Sequence, residues 1–182
     1  MSFRIVAVCM MAWFLATQTN AQFATVDQEE SSLSFEVRSG DRVIIGVFGL
    51  WSTDIEFDKD NLEAASFKVI AEISSISLSD EIAQAMVATT AWLAPNEFPL
   101  ATFESETVTA FEENSYRVDG SLVLRGHTAP VELLIIIEDL SKTAVAAVMG
   151  QIDRTDFAIR SGFGPEIVGR LVTVNATVVF SQ

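Results

Sequence analysis

The side chains able to do chemistry in this sequence are few, and their spacing is as informative as their number. There is one histidine, His127, and one cysteine, Cys9. A Ser-His-Asp relay would have to use His127, which lies in a Gly-His-Thr-Ala-Pro turn with no nucleophile-elbow pattern beside it. His127 therefore reads first as a turn residue, with a polar ligand contact or catalysis as the alternatives. A lone histidine leaves carboxylates as the remaining metal ligands, and Asp58, Asp60 and Glu63 lack the spacing and glycine of a calcium loop. Glu112 and Glu113 read as a solvated turn. No catalytic residue, metal ligand or cofactor is assigned, and the chain does not read as an enzyme.

Arg154, Asp156 and Arg160 form the densest charge cluster beside apolar sequence. An arginine at the mouth of an apolar cavity would donate hydrogen bonds to a headgroup carbonyl or phosphate. The competing reading is a structural ion pair with an acid such as Asp27 or Asp119, because charges near a core are normally paired. Phe163, in the run Gly162-Phe163-Gly164-Pro165, is a candidate lid or a packed loop aromatic. Trp92, Leu93 and Phe98 flank Pro95 and either cover a cavity opening or anchor a helix to a sheet. Trp51 carries the same two readings.

The elements that must position these residues are mostly strands. From Tyr116 to Ile137 two period-2 runs meet at Gly126 to Pro130, the pattern of a hairpin with one apolar face. Leu33-Phe35-Val37, Arg42 to Phe48, Ile55-Phe57, Phe67 to Ile73, Ala101 to Phe111, Ala144 to Ile152 and Val172 to Phe180 add further strands, eight or nine in all. One stretch differs. Between Ser79 and Leu93 the apolar spacing is helical, with Ser79 as cap and Pro95 as stop. So many antiparallel strands around one inserted helix predict an all-β, eight-stranded antiparallel barrel, since closure removes exposed edges.

An eight-stranded barrel is either filled by its side chains or holds one small ligand. The inward faces combine large residues (Phe35, Phe48, Phe67, Leu122, Val174, Phe180) with small ones (Ala71, Gly120, Ala176). Small inward residues favour a cavity, unless opposing phenylalanines fill the space beside them.

Residues 1–21 read as a signal peptide, with Arg4, an apolar run from Ile5 to Ala16 and small residues before Gln22, leaving 22–182 as one domain. Cleavage would leave ten basic residues against twenty-five acidic ones, a net charge of −15. That charge argues against nucleic acid and against electrostatic docking on anionic membranes. A periplasmic or secreted protein without stable membrane insertion is expected. Leu134 and Ile136 lie on the outward face between Glu132 and Glu138, which suggests cover by the helix or by a second copy in a homodimer.

The chain also carries Thr25-Val26-Asp27, Ser31 to Val37, Gly46-Val47-Phe48, Ile73 to Ile76, Ala91-Trp92-Leu93 and Asp153 to Phe157 in order. Its most specific blocks are Phe98-Pro99-Leu100-Ala101-Thr102-Phe103-Glu104-Ser105 and Gly120 to Pro130, with Gly-x-Leu-x-Leu-Arg-Gly-x-Thr-x-Pro. In these it resembles the YceI-like family of bacterial periplasmic proteins. It departs at Glu30, where the family often has His, at Phe157 to Arg160, and at Ser79 to Met86, which lacks an Arg-Asp pair. The resemblance implies a lipocalin-like barrel holding a polyisoprenoid or isoprenoid-quinone-like chain. Phe35, Phe48, Phe67, Ala71, Gly120, Leu122, Val174, Ala176 and Phe180 would then line it, with Trp92, Phe98, Arg154, Arg160 and Phe163 at the mouth. The alternative function is a ligand-free barrel that binds another envelope protein.

Overall fold

The computed structural model describes residues 25–139, 143–159 and 167–181. The expected signal peptide, Arg160 and Phe163 lie outside the described residues. The strands are β1 (Thr25–Ser39), β2 (Arg42–Phe48), β3 (Trp51–Glu56), β4 (Ser66–Glu72), β5 (Ile76–Leu78), β6 (Leu100–Glu112), β7 (Ser115–Leu124), β8 (His127–Asp139), β9 (Thr143–Asp153) and β10 (Val168–Ser181). One helix, α1, spans Glu81–Val87. All strands join one antiparallel sheet in the order β3-β4-β6-β7-β8-β9-β10-β1-β2-β5.

The two ends of that order meet. β2 runs into β3 through Gly49-Leu50, and β4 into β5 through a tight 3-10 turn at Ile73–Ser75. They are two long strands, each bent once and paired along both halves, with Phe48 opposite Ile76 and Trp51 opposite Ala71. The bends interlock: the Gly49 N–H donates to the Ser75 carbonyl (3.1 Å) and the Glu72 N–H to the Leu50 carbonyl (2.9 Å). One half of this bent hairpin pairs with β1 and the other with β6, so the sheet curls round as eight strands, two of them broken. The expected count of eight and the observed ten segments are thus one architecture.

The expected helix is shorter than its apolar spacing suggests. Asp80, not Ser79, caps it, accepting from the N–H groups of Ile82 (3.1 Å) and Ala83 (3.0 Å). Ser79 instead accepts from the Ile45 N–H at 3.0 Å. The helix stops at Val87 because Thr89 turns back, its hydroxyl and its N–H both donating to the Met86 carbonyl. The hairpin turn is also tighter than expected. Arg125 (φ 53°) and Gly126 (φ 73°) alone form it, both left-handed as a two-residue turn between twisted strands requires. Pro130 then falls inside β8 opposite Ser121, ahead of Leu133 where β9 begins to pair, so its missing donor costs no ladder bond.

Gly120 does not face open space. A Cβ there would lie 2.4 Å from the Glu104 carbonyl oxygen and 2.6 Å from the Phe103 ring, which crosses over it from the neighbouring strand. Phe35 covers Gly46 in the same way. Outside the barrel, Leu134 and Ile136 are half-buried among β7 and β9 neighbours, including Arg117 and Met149. α1 packs on β5, on another side of the barrel, and does not cover them.

Two predictions follow from this packing. Gly120→Ala should lower stability by about 1–3 kcal/mol, read by chemical denaturation, because the clash involves backbone and cannot be relieved by a rotamer change. The second concerns Asp153, which accepts from the Thr155 hydroxyl (2.6 Å) and N–H (2.9 Å) and pairs with Arg170. These hold its carboxyl at about 2, below its ordinary 3.8. A lowered folded pKa gives stability that is present above the unfolded value and lost as pH falls through the folded one. Wild type should exceed Asp153→Asn by about 2 kcal/mol near neutrality, with the gap closing below pH ~4 as acid denaturation is followed.

Candidate functional site

The inward faces enclose a cavity of about 1330 Å³, above the roughly 300–1,000 Å³ of ordinary small-molecule pockets. Its shape follows from residue size on a wall of fixed circumference. Ala71 on β4, Ala101 on β6, Ala144 and Ala146 on β9 and Ala176 on β10 all line it. Phe35, Phe48, Val174 and Ala176 point inward yet remain only half-buried, because nothing fills the space they face.

Of the residues read as interior lining, Phe35, Phe48, Phe67, Ala71, Leu122, Val174, Ala176 and Phe180 line the cavity. Gly120 does not; it lies beneath Phe103, and for this position the filled alternative holds. Trp92 lines the cavity at the α1 end and packs on a cluster around Ile73, Ile76 and Phe157. Phe98 sits over the hairpin turn instead, its ring 3.0 Å from where a Gly126 Cβ would be, and so anchors the 88–98 segment.

Arg154 borders the cavity but is 5% exposed and already engaged. Its guanidinium donates to the carbonyls of Gly169 (2.8 Å), Ile159 (2.7 Å) and Val168 (2.9 Å). The expected ion pair with Asp27 or Asp119 is not formed. Burial lowers its pKa from the usual arginine value, while the charge of Asp153 opposes that shift. Arg154 is a clasp that joins the start of β10 to the 3-10 turn Arg154–Phe157, with Nε, Nη1 and Nη2 each donating to a backbone carbonyl. Arg125 works alongside it, donating to the carbonyls of Thr90 and Ala158 and so tying the 88–98 segment to the same turn.

Trp51 lines the cavity, and several further cavity residues carried no site assignment from the sequence: Ile55, Phe57, Tyr116 and the α1 residues Ile82 and Met86 among them. Their periodicity marked them as inward-facing or helical, which was the available signal. Thr53 is a polar residue of the β3 wall, and most other polar lining residues among those described gather towards the two ends of the cavity. At the α1 end are Ser39, Arg42 and Asp80, the last two paired at 2.9 Å. The Ala83 N–H foremost, then Arg42, keeps the Asp80 carboxyl below its ordinary range. At the opposite end are Asp58, Lys59, Asp60, Asn114 and Tyr116. His127 is exposed at the start of β8 and lines no part of the cavity. Among the described residues there is no cluster of three metal-ligating side chains, and no helix long and apolar enough to cross a membrane.

A large, mostly apolar interior can hold an apolar molecule by burial. Solved structures share the fold. The crystal structure of Burkholderia cenocepacia BcnA is similar over 85% of this chain and 99% of its own, at 24% identity and a TM-score of 0.78. A Campylobacter jejuni YceI protein is similar over 75% of this chain and 84% of its own, at 18% identity and a TM-score of 0.69. No curated protein matches the chain. The sequence model of the YceI-like domain matches residues 25–180, which takes in every lining residue described above, and the chain therefore belongs to the YceI-like family.

Proposed function

We propose that this protein is an exported carrier that sequesters a polyisoprenoid or isoprenoid-quinone-like chain within its barrel, in the periplasm or outside the cell, without covalent chemistry. The observation that carries this reading is the unfilled interior: a cavity of about 1330 Å³ walled by apolar side chains that a packed core would have buried. Each methylene moved from water into such a wall contributes about 0.8 kcal/mol. A tail of several isoprene units needs few polar contacts to be held. The export reading rests on the N-terminal segment, Arg4 followed by an apolar run and small residues, and the reading as a binder rather than an enzyme on family membership.

Two measurements test the proposal. Organic extraction of protein purified from its native envelope, followed by mass spectrometry, should release an isoprenoid lipid, and the emptied protein should take up an added polyprenol or quinone. Neither lipid nor uptake would leave the ligand-free interaction module as the better reading. Ala176→Phe adds a ring to the cavity wall opposite Leu33 and Val148. It should weaken polyprenol uptake by about tenfold or more while the melting temperature holds, because the ring enters empty space. In a packed interior the same change would cost ~1–3 kcal/mol by overpacking. A large loss of stability with unchanged uptake would move the ligand out of the barrel.

A further inference from the structure

The two polar ends of the cavity are not equivalent. At the α1 end the charged groups are already paired: Arg42 with Asp80, Asp80 with the first N–H groups of α1, and Arg154 with three carbonyls. At the opposite end stands Tyr116. The edge of its ring is fixed against Phe57, with centroids 4.9 Å apart and planes at 76°. Tyr116 is half-buried and lines the cavity, and its hydroxyl has no hydrogen-bond partner among the described residues. Asn114, two residues before it at φ 58°, is a second uncharged polar group on the same rim.

The charges at that rim are unbalanced. Lys59 is held by Asp60 at 3.0 Å, and Asp58, whose Oδ1 accepts from the Asp60 N–H at 2.9 Å, forms no ion pair among the described residues. A negative rim disfavours an anionic head. An apolar chain end lying over Tyr116 would bury its hydroxyl without a partner, at a cost that an oxygen acceptor relieves. Resting on the carrier reading, we propose that Tyr116 is the residue that reads the head of the bound chain. Its hydroxyl donates to an uncharged carbonyl or hydroxyl oxygen at the end of the cavity away from α1, so that neutral-headed chains are held and the same chains bearing a diphosphate are refused.

The experiment compares three probes on the full mature chain: a long polyprenol, the diphosphate of that polyprenol, and squalene as a headless isoprenoid. Wild type should bind the polyprenol at least about tenfold more tightly than the diphosphate. Tyr116→Phe keeps the ring against Phe57 and should weaken polyprenol binding by about three- to tenfold, the range of one hydrogen bond, while squalene binding stays unchanged. Replacing both Asp58 and Asp60 with Asn should narrow the gap between polyprenol and diphosphate. Because Tyr116 is the sole tyrosine, fluorotyrosine labelling gives one fluorine resonance, which should shift with the polyprenol differently from squalene. An unaffected polyprenol affinity in Tyr116→Phe, an equal loss for squalene, or diphosphate binding as tight as polyprenol would overturn the assignment. If wild type bound neither squalene nor polyprenol, the carrier reading itself would fall.

Discussion

Every strand of an antiparallel sheet needs a neighbour on each side, and in this molecule one bent hairpin supplies the neighbour that both ends of the sheet lack. The bends at Gly49-Leu50 and Ile73–Ser75 let a single pair of strands continue β1 on one half and β6 on the other. That closure sets the circumference at eight strands, and the circumference sets the width that side chains must fill. Alanines on four of the walls leave it unfilled. The cavity is therefore a joint product of backbone pairing, which fixes the diameter, and side-chain volume, which falls short of it.

An interior left open forfeits the dispersion contacts of a packed core, and the molecule recovers stability elsewhere. Val118 and Phe157 are fully buried, each in a different apolar cluster. Cross-strand rings press on Gly46 and Gly120, where the missing Cβ allows aromatic and backbone to approach closely. No cysteine lies among the described residues. Arg154 and Arg125 take up the tying of distant segments, binding backbone carbonyls of three separate stretches with charge-assisted hydrogen bonds.

The strand faces were legible in the sequence because period-2 alternation is a local property, and the strand residues read from it as lining do line the cavity, Gly120 excepted. Gly120 and Ala176 looked alike at that level. What separates them is the cross-strand neighbour, Phe103 over one and open space before the other, and register is non-local information. Arg154 misled for a related reason: charge suggests a carboxylate partner, whereas its partners are carbonyls, which every residue has and no sequence pattern marks. The end of α1 depended on Thr89 bonding back to Met86, a competition that apolar spacing cannot register. Tyr116 was legible as inward-facing; that its hydroxyl finds no partner among the described residues was not, because it depends on non-local neighbours.

The pairing of β1 with β10, Val26 opposite Phe180 and Val37 opposite Val172, joins the first strand of the domain to the last. The other pairings link strands that are neighbours in the chain or lie one bend apart, so they can form as the polypeptide lengthens; this one cannot. Loop-closure entropy and high contact order place it late and make it slow. Until residues 168–181 are free to fold, β1 has its β2 side satisfied and its β10 side bare, and the apolar inner face has no enclosed interior. The seam between the first and last strands thus acts as a timer: a chain still being made has no closed barrel until its last strand is free to pair.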